Sequence, residues 1–96
     1  MRVEFHAEAI EELQGAAEYY EERQIGLGSR FLDTVEEAIE RIAGNPLAWN
    51  LVDEDIRRCL TRVFPYGILY SPDKEFVLIL AVAHLAREPG YWRSRR

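Results

Sequence analysis

The sequence predicts an α+β domain in which a helical hairpin covers one side of a small, mostly antiparallel sheet. Three observations carry this. Two amphipathic stretches stand next to each other in the first half, and several β-rich stretches follow in the second. The last of these contains "FVLILAVA" (Phe76–Ala83), an unbroken apolar run of the kind found in a strand buried on both faces. The order is strand, helix, helix, strand, strand, strand, read as one domain over residues 1–96.

In chain order, "RVEFH" (Arg2–His6) alternates apolar and polar residues and reads as a first strand. From Ala7 to Arg23, Ile10, Leu13, Ala16/Ala17 and Tyr20 draw one stripe along a helix, with most glutamates off it. "GLGS" (Gly26–Ser29) breaks that pattern. A second stripe follows through Leu27, Phe31, Val35, Ala38/Ile39 and Ile42, and "GNP" (Gly44–Pro46) provides a glycine cap and a proline stop. Two helices with so short a link pack as an antiparallel hairpin. Strands are then expected over Ile56–Val63, Tyr66–Ser71 and Glu75–His84, with "SPDKE" as the turn before the last. That last strand should be central.

Composition narrows the functional classes. Apolar residues make up 48% and charged ones 30%, as in ordinary globular proteins. The one cysteine, Cys59, has no internal disulfide partner, and no Cys/His spacing suits a metal. The N-terminus is acidic and periodic, unlike a signal peptide, and the longest apolar run is far short of the ~20 residues that span a membrane. A reduced, cytoplasmic setting without membrane, metal or cofactor is the expectation.

The net charge of −5 conceals a division. Residues 1–55 carry a balance of −10, whereas residues 56–96 carry +5. Seven arginines lie in the second part: Arg57, Arg58, Arg62, Arg87, Arg93, Arg95 and Arg96. By strand alternation Arg58 and Arg62 should share a face with Leu60. Such a cluster reads either as a solvated sheet face or as a patch for an acidic partner, and the acidity elsewhere favours the patch.

The residues also carry a family resemblance. "RVFPYGILYSPDKEFVLILAVAHLAREPGYW" (Arg62–Trp92) resembles the C-terminal half of the RelE/ParE superfamily of toxins from bacterial type II toxin–antitoxin pairs. The marks are an arginine-ending strand, "FPYGILY" entering the next, a hydrophobic strand closing on His84, and an Arg-x-Pro-x-Tyr-Trp tail. "EYYEER" and "LGSRFLDTVEEAIERIAGNP" extend the likeness over nearly the whole chain.

The resemblance implies one of two activities. RelE-like members are ribosome-dependent endoribonucleases acting on messenger RNA. ParE-like members share the fold but poison DNA gyrase, often in plasmid stabilisation systems. Cleavage by 2′-hydroxyl attack needs a base, an acid and cations. His84, Arg62 and Tyr91 are the catalytic candidates on that alternative, with Arg58 and Arg87 as further phosphate clamps. Two positions favour the ParE-like branch. Gly67 stands where RelE-like nucleases carry an arginine, and Leu85 stands where they carry a basic residue. The chain's acidity also suits an RNA-binding enzyme poorly.

The favoured reading is therefore a toxin acting by binding, held in a hetero-oligomer by a cognate antitoxin and directed at gyrase. The ribosome and messenger RNA are the alternative targets, and a non-toxic scaffold of the same fold is a third possibility. The partner-binding candidates are Arg57, Arg58, Arg62, Arg87, Tyr91, Trp92, Arg93 and Arg95. The tail "AREPGYWRSRR" should lie over the sheet beside the arginine strand.

Other residues have plainer readings. His6 needs only a local backbone partner, Tyr19 and Tyr20 read as hairpin packing, and Cys59 as a small buried hydrophobe. Trp49 is either an apolar lid or an interface residue. The glutamates read as solvated helix faces. "DED" (Asp53–Asp55) lacks a supporting cation ligand elsewhere.

Overall fold

A hydrogen bond from the His6 amide to the Ile79 carbonyl, 2.9 Å, ends the first strand and swings the chain into the first helix. A computed structural model describes residues 1–95. Strand β1 is Arg2–Phe5, helix α1 is Ala7–Arg23 and helix α2 is Leu27–Gly44. Strands β2 (Leu51–Asp53), β3 (Ile56–Leu60), β4 (Tyr66–Pro72) and β5 (Phe76–His84) follow. The five strands form one sheet of order β1-β5-β4-β3-β2, with β1 parallel to β5 and all other pairs antiparallel. The expected α+β architecture is present.

Both helices lie on one face. Phe31, Val35, Ala38 and Ile42 of α2 and Ala9 and Ala16 of α1 are buried there with Cys59, Ile68, Tyr70, Val77, Ile79 and Val82. The glycine break between the helices has a mechanical reason. A Cβ on Gly28 would stand 2.6 Å from the Ala17 carbonyl oxygen, so only glycine admits this close approach. The Glu21 carboxylate of α1 accepts from the Gly26 and Gly28 amides at 2.9 and 3.0 Å, capping α2 with a charge that suits its dipole.

The opposite face carries a smaller core of Ile56, Leu69, Leu80, Ala81 and Ala83, closed by Trp92 from the C-terminal tail. Strand β5 is thus covered on both faces and flanked by β1 and β4, as its apolar run requires. Trp49 packs against the helix-side core as a lid. Cys59 is fully buried, and burial raises its thiol pKa, so it is an inert packing residue.

Several expectations change. His6 is not in the strand; its Nδ1 accepts the Glu8 amide, 3.1 Å, and caps α1. Ile10 is 41% exposed, because the buried line of α1 runs through Ala9 and Ala16 instead. The strand expected over Ile56–Val63 stops at Leu60. Thr61 then donates its amide to the Tyr66 carbonyl and shares its hydroxyl proton between the Phe64 and Tyr66 carbonyls, which bends the chain. Val63 sits at the tip with φ +72°, left-handed and unusual for a β-branched residue. Strand β2 was not expected; it is three residues long with an irregular register, too short for periodicity to reveal.

Candidate partner-binding site

The tail is fastened by one carboxylate. Strand β5 extends beyond the end of β1, which leaves the Leu80–His84 edge without a neighbouring strand. Glu12 of α1 fills the gap: its Oε1 accepts the Val82 amide at 3.0 Å. Its two oxygens also accept from both Arg95 Nη atoms, from the Tyr91 hydroxyl at 2.8 Å, and from Arg87 Nη1 at 3.4 Å. Arg95 in turn donates to the Leu80 carbonyl at 3.1 Å. The Arg87 and Arg95 guanidinium groups also lie over the Tyr91 ring, at 3.7 and 5.0 Å.

The tail does lie over the sheet, and most arginines of the expected cationic patch have internal partners, although Arg62, Arg87 and Arg93 keep more than half of their side chains exposed. Arg57 donates to the Leu47 and Trp49 carbonyls. Arg62 does not share the Arg58 face; beyond the end of β3 it turns to α2 and pairs with Glu37 at 2.9 Å. Arg93 pairs with Asp53 at 2.7 Å, which joins the tail to β2 and gives one acid of the "DED" run a structural role. Arg87 and Arg95 meet Glu12, and Arg95 also reaches Glu8. Trp92, expected as an interface anchor, is only 6% exposed. Arg96 lies outside the described residues. Four arginines of the basic half thus pair with acids of the first half.

Arg58 is the exception. It projects from β3 on the tail side and, alone among these arginines, has a side chain with no hydrogen-bond or ion-pair partner among the described residues. Its stem lies across Gly67 of β4, where an added Cβ would come within 3.0 Å of Arg58 Cδ. Below the tail is a cleft of about 150 Å³, lined by Arg58, Gly67, Val52, Leu69, Pro89 and Trp92 among others. Gly90, with φ +84°, lets Arg93 fold back over the tail at its mouth. On its other side Arg58 borders a hollow with Trp49, Val52 and Leu60.

Of the three catalytic candidates, His84 and Tyr91 share a cleft and Arg62 lies apart from it. His84 ends β5 on the surface, with its ring edge-on to Tyr66 at 5.2 Å. Its Nδ1 accepts the Ala86 amide at 3.0 Å, so in the neutral ring the proton belongs on Nε2 and no lone pair is left for a general base. Burial, with the Glu12 carboxylate as acceptor, pushes the Tyr91 phenol up to about 12, far from a useful proton donor near neutrality. His84 and Tyr91 line common clefts with Arg87, whereas Arg62 lines none of them. No group of three or more His, Cys, Asp or Glu placed to hold a metal occurs among the described residues.

Glu12 is the residue that periodicity missed. Read among the solvated glutamates, it sits between Ala9 and Ala16, three and four residues away on the buried line. A carboxylate on a line of buried alanines needs a cationic partner, and the arginine-rich tail supplies it.

The comparisons agree with this architecture. The family described as "ParE toxin of type II toxin-antitoxin system, parDE" matches residues 3–89. No curated protein sequence matches. Among solved structures, the chromosomal ParDE toxin–antitoxin system from P. aeruginosa contains a chain with a TM-score of 0.66 and 14% identity. That alignment covers 88% of this chain and 96% of the other, a likeness of fold. No helix among the described residues is long and apolar enough to cross a membrane. With both the fold and most of the sequence accounted for, the chain belongs to the ParE toxin family of type II toxin–antitoxin systems.

Proposed function

We propose that this chain is a ParE-like toxin that arrests growth by binding DNA gyrase in the cytoplasm and is neutralised by a cognate antitoxin. One observation carries the preference for binding over bond chemistry. His84 Nδ1, the Tyr91 hydroxyl and Arg62 are all engaged by internal partners, whereas the Arg58 guanidinium, at the border of the cleft under the tail, has no side-chain partner among the described residues. Family membership supports the antitoxin as partner, in which a flexible segment folds onto the toxin. The surface it covers includes Arg58 and the tail from Arg87 to Arg93.

Induction of the chain in bacterial cells tests the reading. Arrest should come with DNA-damage signalling before any cut messenger RNA is seen, and His84→Gln should leave most of it intact. A nuclease relying on His84 would lose about 10²-fold or more in rate on that change. Ribosome-dependent cleavage at defined codons, abolished by His84→Gln, would replace the gyrase reading with the RelE-like one. For the antitoxin, Arg58→Glu should weaken binding and reduce its salt dependence, whereas Glu11→Lys should leave both unchanged. Equal losses for the two changes would remove the basic half from the interface.

A further inference from the structure

The cleft beneath the tail has a defined chemistry. One wall is the sheet, with Leu69 buried and Val52 half-buried; the other is the tail, with Trp92 and Pro89. Its volume of about 150 Å³ suits one side chain, since a cavity of about that size accepts benzene. Among the described residues, the one cation at its border without a side-chain partner is Arg58. The bare backbone of Gly67 leaves room for the Arg58 stem against β4, and Arg58 lines both the cleft and the hollow beside Trp49. A planar guanidinium so placed is suited to a carboxylate.

We propose that this cleft takes one apolar side chain of a partner peptide while Arg58 receives the carboxylate of the adjacent Asp or Glu. The inference rests on the antitoxin reading above and gives that partner's contact a chemical form. An extended acidic peptide is favoured over nucleic acid for two reasons. A phosphate backbone needs several cations in a row, and the neighbouring arginines Arg57, Arg87, Arg93 and Arg95 are already engaged. Val52, Leu69, Pro89 and Trp92 give the cleft an apolar part; His84, Arg87, Glu88 and Arg93 also line it, but both of these arginines are ion-paired and Glu88 is acidic, which favours a single carboxylate at Arg58 over a dense run of negative charge.

The probe is acetyl-Leu-Glu-amide, titrated into the ¹⁵N-labelled full chain and followed by NMR. Its saturable shifts should fall on the Gly67 amide, the Trp92 indole N–H and the Arg58 Nε–H. Acetyl-Leu-Gln-amide should bind about tenfold more weakly, and Arg58→Gln should remove the difference between the two. Gly67→Ala keeps the charge but displaces the Arg58 stem, and should weaken the glutamate peptide with little effect on the glutamine one. Equal binding of both peptides to the wild type, shifts confined to another surface, or identical shifts from inorganic phosphate alone would each overturn the proposal. The dipeptide reads the cleft without antitoxin or toxicity, so its failure leaves the antitoxin titration standing, and the reverse holds too.

Discussion

Arg95 and Glu12 lie 83 residues apart and meet through two hydrogen bonds of 2.9 and 3.0 Å, at the edge of β5 that β1 does not reach. Together they do the work of a missing strand: Glu12 accepts the Val82 amide and Arg95 donates to the Leu80 carbonyl. The side chains are 15% and 7% exposed, so the pair is removed from most solvent screening. An ion pair in this position is fully hydrogen-bonded and ties the helix layer to the tail through the sheet.

Glu12→Ala should therefore cost about 2–3 kcal/mol, because it strands Arg95, the Tyr91 hydroxyl and a backbone amide together. Urea unfolding measures the loss, and hydrogen exchange locates it: the Val82 amide should exchange much faster. Arg95→Met in the same background should cost little more, since the partner is already gone. Additive losses for the two changes, or unaltered Val82 exchange, would show that the pair does not act as a unit.

The sequence made the two helices and β5 legible because each carries a long periodic or continuous apolar pattern. Phe31, Val35, Ala38 and Ile42 recur at helical spacing and are all buried. Strand β2 was not legible, since three residues held by a bulged register leave no period to read. The arginine cluster was visible as composition, but its wiring was not. Whether Arg62 faces the tail or Glu37 depends on where β3 ends, and Thr61 decides that through two hydroxyl bonds. Likewise, alternation put Arg58 on one face with Leu60, where it lies, whereas the lack of a partner for its side chain depends on residues far away in the chain.

That same loop stores strain. Phe64 donates its amide to the Arg62 carbonyl at 2.8 Å, closing a three-residue turn around Val63, which is 86% exposed and has φ +72°. A β-branched residue in this conformation costs on the order of 1–3 kcal/mol, and Val63 regains little of it by burial. Val63→Gly should raise stability by about 1 kcal/mol after the extra entropy of an unfolded glycine is deducted. The thermal midpoint should rise, and a fall would mean that Val63 makes contacts that outweigh its backbone.

Alkaline pH should unfold the protein through two phenols. Burial pushes both Tyr70 and Tyr91 from 10.0 up to about 12, and Tyr70 donates its hydroxyl to the Pro46 carbonyl. Above pH 10 the unfolded chain releases these protons while the folded chain still holds them. Stability present below pH 10 is thus lost progressively as pH rises toward 12. Tyr91→Phe should lower stability at pH 7 by about 1 kcal/mol for the lost hydrogen bond, yet flatten the decline between pH 10 and 12. An unchanged slope in that window, measured by urea midpoints, would remove Tyr91 from the account.

Trp92 and Arg93 are adjacent, yet their substitution should have opposite consequences. Trp92 fills the tail-side core against Ile56, Leu69 and Leu80, so Trp92→Ala should cost about 3–5 kcal/mol and open the cleft it lines. Loss of growth arrest in that variant would report unfolding as readily as lost binding. Arg93 has a side chain 59% exposed and one ion pair to Asp53, so Arg93→Ala should change stability by less than about 1 kcal/mol. It nevertheless removes a cation from the mouth of the cleft. On the binder reading, Arg93→Ala should weaken growth arrest at an unchanged thermal midpoint, with no change in messenger RNA. Full arrest by a stably folded Arg93→Ala variant would move the target-binding surface away from the tail.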